Sequence, residues 1–113
     1  MTTSIIIPCR TAKNTVTAAV KAAREQTQTP LEVIVVDDAS TDESGAIAER
    51  AGARVIRNDT RRNAGGARNA GMAVAKGDLI AFLDADAVPS KDWLERARQI
   101  FDGDATIAAV GGR

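Results

Sequence analysis

Short β-branched runs alternate along the chain with Ala-rich stretches whose apolar positions recur at helical spacing. This is the pattern of βαβ units around a mostly parallel sheet. Ser4-Ile5-Ile6-Ile7 predicts a first strand stopped by Pro8, and Val16, Ala19, Val20 and Ala23 predict the apolar stripe of a first helix. Leu31 to Val36 is a nearly continuous apolar run, as a strand buried on both faces requires. Ser40-Thr41-Asp42-Glu43 matches a capping box, with Gly52 as the stop of the helix it opens. Arg54 to Arg57 predicts a short, more exposed strand. A loop carrying Asn63, Gly65 and Gly66 then leads into a helix ending near Gly77. Leu79 to Leu83 predicts another buried strand, and Ser90 the cap of a helix carrying Trp93, Leu94, Ala97, Ile100 and Phe101. Asp102-Gly103-Asp104 ends that helix before a last strand from Ile107 to Val110. The expected fold is a three-layer α/β/α, Rossmann-like domain.

Composition narrows the chemistry. In 113 residues there are 15 Lys+Arg, 15 Asp+Glu, one Cys and no His. The length suits one domain. The absence of His excludes His-based triads and His-ligated zinc, and a single Cys excludes an internal disulfide. A balanced charge argues against a general affinity for nucleic acid. The longest apolar run is the five residues Leu79–Leu83, so no membrane span is expected. The N-terminus lacks a basic n-region, which predicts no signal peptide and a cytoplasmic protein. Acid, base or metal chemistry falls to carboxylates.

Those carboxylates follow the two most apolar strands, as Asp37-Asp38 and as Asp84-Ala85-Asp86. In an open parallel sheet, ligands bind outside the carboxyl ends of the strands, where Pro8-Cys9-Arg10 would also lie. Asp84 and Asp86 offer hard oxygen donors suited to Mg²⁺ or Mn²⁺; turn chemistry alone would also place Asp there. Asp37-Asp38 offers acceptors for a base or ribose, or a cap for the next helix. Asn63 to Gly71 has the glycines of a phosphate cradle but fails the Walker A pattern, with Met72-Ala73 where Lys-Ser/Thr would stand. Within it, Arg68 is a planar donor suited to phosphate. Cys9 lacks a His or second Cys partner and is expected to be an incidental small residue.

Taken in order, Ser4-Ile-Ile-Ile-Pro8, Val33-Ile-Val-Val-Asp37-Asp38-Ala-Ser40-Thr41-Asp42, Ala67-Arg68-Asn69-Ala-Gly71 and Lys76-Gly-Asp78-Leu-Ile-Ala-Phe-Leu-Asp84-Ala-Asp86 strongly resemble the family 2 glycosyltransferases of GT-A fold. The resemblance spans Ser4 to about Trp93. It implies a nucleotide diphosphate sugar donor, a UDP-sugar favoured, bound with Mn²⁺ or Mg²⁺ for transfer to an unknown acceptor. It implies further that Pro8, Cys9 and Arg10 lie against the nucleotide, that Asp38 meets the base with Asp37 in support, and that Arg68 lies near the base or diphosphate. Asp84 would meet the ribose or a metal-bound water, and Asp86, after Ala85, would ligate the metal. Cys9-Arg10-Thr11 departs from the family's usual segment after the first strand, and the spacing before Ala67-Arg68-Asn69 is short. The family's catalytic domain continues well past Val110. Residues 1–113 are thus expected to form a single nucleotide-sugar-binding domain that stops before the acceptor half. None of Asp92, Glu95, Asp102 or Asp104 matches the family's general base.

The same acids fit three other patterns in part. A haloacid dehalogenase-like phosphatase would use Asp84 as nucleophile and Asp86 as acid/base, but its motif opens a domain. A phospho-receiver would need its acid pair after the first strand and a late Lys. A noncatalytic nucleotide-binding or interaction module shares the donor site without turnover. An exposed last strand would invite a homodimer or pairing with a partner.

Overall fold

The computed structural model describes residues 2–103 and 109–112, with side chains through Gln99. Five strands alternate with four helices: β1 (Thr3–Cys9), α1 (Val16–Arg24), β2 (Glu32–Asp38), α2 (Ser44–Arg50), β3 (Arg54–Asn58), α3 (Asn63–Val74), β4 (Leu79–Leu83), α4 (Trp93–Gly103) and β5 (Ala109–Gly112). The sheet order is β3-β2-β1-β4-β5, and every pairing is parallel. The expected Ile107 start of the last strand and Asp104 lie outside the described residues. Among the described residues, no helix is long and apolar enough to cross a membrane.

The strand period of two sorts the central side chains onto opposite faces. Ile5, Ile7, Val33, Val35, Ala81 and Leu83 join Val16 and Val20 of α1, Ala48 of α2, and Trp93 and Leu94 of α4 in one cluster. Ile6, Ile34 and Val36 face the other way, onto Ala67 of α3. The three layers are thus α1, α2 and α4, then the sheet, then α3. Ile5, Ile6, Ile7 and Ile34 are fully buried; each contributes roughly 1.5–3 kcal/mol by burial. Gly71 lets α3 sit close to the sheet, since a Cβ there would come within 2.6 Å of Ile6 Cγ2.

Several boundaries differ from the sequence expectation, each for a local reason. Strand β1 continues through Pro8 to Cys9 instead of stopping at Pro8. It pairs with β2 as far as Cys9 but with β4 only as far as Ile6. Pro8 therefore sits where one flank of the strand has no partner, and its missing N–H interrupts no ladder on that side. Leu31, expected to open β2, is half exposed, and the strand starts at Glu32. The Ser40–Glu43 capping box does not form. Helix α2 begins at Ser44, and Ser40 Oγ instead accepts the Thr11 N–H at 2.9 Å. Asn63, Gly65 and Gly66 belong to the first turn of α3 rather than to a loop, and α3 ends at Val74, short of Gly77. Helix α4 starts at Trp93, where the backbone carbonyl of Ser90 accepts the Trp93 N–H; the Ser90 hydroxyl bonds Asp92.

Candidate functional site

The sheet order makes β1 the point where the chain switches direction, with β2 and β3 on one side and β4 and β5 on the other. Ligands of open α/β sheets bind at such a switch point, outside the carboxyl ends of the strands. Because β1 outruns its pairing with β4 after Ile6, a gap opens there. A cleft of about 540 Å³ occupies it, with Pro8, Arg10 and Thr11–Thr15 on one wall, Ala85 and Asp86 on the other, and Asp42 at the rim. A second cleft of about 230 Å³ lies across β1, toward β2 and α3. Pro8, Cys9, Arg10, Asp38, Arg61, Asn63, Ala64 and Ala67 line it. Pro8 and Arg10 border both, so the two clefts form one continuous edge.

Strain concentrates along this edge. Thr11, Ala39 and Asn63 are the non-glycine residues with positive φ among those described, at 50°, 57° and 66°. They follow β1, follow β2 and open α3. Left-handed backbone in such residues costs on the order of 1–3 kcal/mol and persists only where neighbours fix it. Here the neighbours are polar. Ser40 Oγ holds the Thr11 N–H, Asp37 O accepts the Ala39 N–H at 3.0 Å, and Asp37 Oδ1 accepts the Ser40 N–H at 3.0 Å. Ala12 N–H donates to Ser44 Oγ and Lys13 N–H to Asp42 Oδ2, zipping the segment after β1 onto the segment after β2.

The four expected acids divide into two classes. Asp37 is buried and takes Arg57 Nη1 at 2.7 Å on Oδ2, so it ties β2 to β3 and lines neither cleft. Asp38 is also buried but lines the smaller cleft. Its Oδ1 accepts from Asn58 Nδ2 at 3.0 Å and from the Arg62 N–H at 2.8 Å. Burial pushes the Asp38 carboxyl up. The Asn58 amide, the N–H groups of Arg62 and Asn63 and the charge of Arg61 outweigh it and hold the pKa below the ordinary value. The amino end of α3 is therefore satisfied by a carboxylate of the protein, where the sequence suggested a phosphate cradle. Asp84 and Asp86 are exposed, on either side of buried Ala85, in a turn closed by the Ala87 N–H donating to Asp84 O at 3.0 Å.

Arg68 is exposed and lines neither cleft; its guanidinium lies 5.6 Å from the centroid of the Phe82 ring. Arg10 lines both clefts and Arg61 the smaller one. Lys13, absent from the sequence-derived candidates, lines the larger cleft. Its only sequence signal is its place just beyond the first strand. Asp84–Asp86 ends the fourth strand, not the first as in the dehalogenase pattern, and Asp37-Asp38 follows β2, not β1 as in a receiver.

Asp84 and Asp86 supply two exposed carboxylates in one turn, of which Asp86 lines the larger cleft. No group of three or more His, Cys, Asp or Glu among the described residues could hold a metal alone. Mg²⁺-type ions need no such cage: they are held by one or two carboxylates, with water and substrate phosphates completing the shell.

Cys9 is among the residues lining the smaller cleft, and its buried side chain packs in the cluster with α1, α2 and α4. Burial pushes its thiol up to about 11; the Ser44 hydroxyl lowers it, and Asp37 and Asp42 raise it further. The folded protein is expected to resist iodoacetamide at pH 8, while the chain unfolded in guanidinium reacts. Between the ordinary value of 9.0 and about 11, the unfolded chain releases a proton that the folded chain keeps. Stability should accordingly fall as pH rises through that window, and Cys9→Ala should remove this part of the pH dependence, read by urea unfolding at pH 8, 9 and 10.

Comparison with known proteins gives a consistent picture. The family model Glycosyl transferase family 2 matches residues 4–113. A UDP-Glc:alpha-D-GlcNAc-diphosphoundecaprenol beta-1,3-glucosyltransferase, WfaP of Escherichia coli, is 42% identical over 86 residues, covering 74% of this chain and 34% of its own length. The succinoglycan biosynthesis protein ExoO of Rhizobium meliloti is 34% identical over 110 residues, covering 95% of this chain and 32% of its own. The crystal structure of S. aureus TarS 1-349 in complex with UDP-GlcNAc superposes with a TM-score of 0.79 at 28% identity, over 93% of this chain and 32% of that one. Glucosyl-3-phosphoglycerate synthase from Mycobacterium tuberculosis, in complex with Mn²⁺, UDP and glucosyl-3-phosphoglycerate, superposes with a TM-score of 0.74 at 25% identity, over 83% and 37% of the two chains. The chain spans about a third of the length of these curated relatives.

Proposed function

The chain belongs to glycosyl transferase family 2, and from that premise we propose that its sheet edge binds a nucleoside diphosphate sugar, a UDP-sugar, as glycosyl donor. The observation that carries this reading is the pair of adjoining clefts at the switch point, one holding Asp38 and the other Asp86, with Arg10 on both. Support also comes from two structural neighbours, one bound to UDP-GlcNAc and the other to UDP with Mn²⁺.

The smaller cleft has the chemistry for a uracil. Asp38 is an anionic acceptor for an imide N–H, and Pro8 and Ala67 give apolar walls. Arg61 and Arg10 place positive charge at its rim, toward the ribose and diphosphate. The larger cleft takes the diphosphate and sugar, with Arg10 and Lys13 on one wall opposite Asp86. Asp84 and Asp86 would hold a divalent cation, which when bound neutralises charge on the leaving diphosphate. Arg10 and Lys13, which line the same cleft, would add to that neutralisation. The strained, hydrogen-bonded segments after β1 and β2 hold Arg10 and Asp38 before the ligand arrives, which lowers the ordering cost of binding. Glycosyl transfer to an acceptor belongs to this proposal as the activity of the longer relatives' architecture, with this chain as its donor-binding part.

A nucleotide panel tests the assignment. UDP at 100 times its dissociation constant should stabilise the fold by about 2.7 kcal/mol, a rise in Tm on the order of 10 °C for a domain of this size. UDP should shift the melt more than CDP at equal concentration, because cytosine has no imide N–H for Asp38 to accept. Equal shifts with UDP and CDP would remove Asp38 as a base reader, and no shift with either would remove the donor site.

A further inference from the structure

A polar segment left without a role by the sequence, Gln26-Thr27-Gln28, lies between α1 and β2. Gln26 is only 5% exposed. Gln rarely goes inside, so a buried one calls for a reason. Its Nε2 donates to Ser90 O at 2.7 Å and to Ala22 O at 3.0 Å, and its Oε1 accepts the Leu94 N–H at 2.8 Å. One amide thus joins the end of α1, the segment after the Asp84–Asp86 turn and the first turn of α4. Thr27 N–H reinforces it by donating to Lys91 O at 2.8 Å.

We propose that Gln26 is a positioning residue for the acidic turn, fixing Asp86 opposite Lys13 across the larger cleft; this rests on the donor-site reading above. The near wall of that cleft is the segment leading into α1, and the far wall is Ala85 and Asp86. Asp86 is exposed and lies only four residues before Ser90. By bonding Ser90 and Leu94 from the far end of α1, Gln26 sets both walls on one helix. The residue type is specific. Glu would face two carbonyl oxygens with a carboxylate, and Leu would orphan the Leu94 N–H and the Ser90 carbonyl. Gln26 touches nothing in the smaller cleft, so its influence is confined to the metal-dependent part of binding.

The test combines amide hydrogen exchange with UDP titration of the full chain, in Mn²⁺ and in EDTA. In Gln26→Ala, amides of residues 84–94 should exchange at least about tenfold faster while those of β1 and β2 keep their rates. UDP affinity in Mn²⁺ should fall about tenfold, the scale seen when a partner supporting a metal ligand is removed, with affinity in EDTA unchanged. Gln26→Glu keeps the acceptor for Leu94 and loses the donors; it should shift both readouts the same way and serves if the Ala variant does not fold. Unchanged exchange in residues 84–94, or equal affinity losses with and without Mn²⁺, would overturn the assignment. Should wild-type UDP binding ignore Mn²⁺, the donor–cation reading falls, while the exchange result still decides whether Gln26 holds the turn.

Discussion

Asp86→Ala is expected to leave the unfolding free energy within about 0.5 kcal/mol of wild type while lowering UDP affinity in Mn²⁺ by about 100-fold, to its value in EDTA. The first half follows from the side chain being exposed and making no hydrogen bond or ion pair among the described residues. The second follows from its place on the far wall of the larger cleft. Loss of a partner that merely supports a ligand costs 10–100-fold, and loss of a direct ligand should reach the top of that range. Urea unfolding and calorimetry of the same preparation check both halves. A large loss of stability would mean that Asp86 serves the fold, and an unchanged Mn²⁺ response would remove it from the metal site.

Asp38→Ala should behave differently, because one carboxylate serves both fold and ligand. Its Oδ1 satisfies the buried Asn58 amide and the Arg62 N–H at the start of α3. Removing it leaves both donors unpaired, at about 1–3 kcal/mol for each buried group. The Arg62 N–H is only part-buried and falls at the low end, so a total loss of about 2–4 kcal/mol is expected, a large fraction of the stability of a small domain. Asp38→Asn keeps a carbonyl oxygen and much of that stability. It exchanges a charge-assisted bond for a neutral one, so UDP affinity should fall about tenfold. The pH dependence has a definite sign. The folded carboxyl is held below its ordinary value, so its contribution is full above the unfolded value near 4 and is lost as pH falls through the folded one. Wild type should therefore weaken on acidification below about pH 4, and Asp38→Asn should weaken less steeply.

The periodicity of Ile5-Ile6-Ile7, Val33–Val36 and Leu79–Leu83 made the parallel layers legible, because strands buried on both faces have few other uses for such runs. The acids after two of those strands placed the site on the carboxyl edge for the same reason. Pairing determined what the sequence could not show. Pro8 was misjudged as a stop because its tolerance depends on where β4 ceases to flank β1. Ser40-x-x-Glu43 has the letters of a capping box, but Thr11 competes for Ser40 from 29 residues away. The glycines at 65 and 66 suggested a loop, whereas Asp38 from β2 satisfies the start of α3 and draws them into a helix. Gln26 carried no local signal at all, since its partners Ser90 and Leu94 lie 64 and 68 residues on. Side chains that bond across the chain are legible only when the fold is known.

The central claim, that this edge binds a uridine diphosphate together with a divalent cation, is tested most directly by calorimetric titration of UDP into the wild-type chain in Mn²⁺ and in EDTA. One-to-one binding strengthened by about 100-fold in Mn²⁺, a difference of about 2.8 kcal/mol, is the predicted result. Equal affinity in the two buffers would contradict the cation site, and the absence of heat in both would contradict the donor site itself.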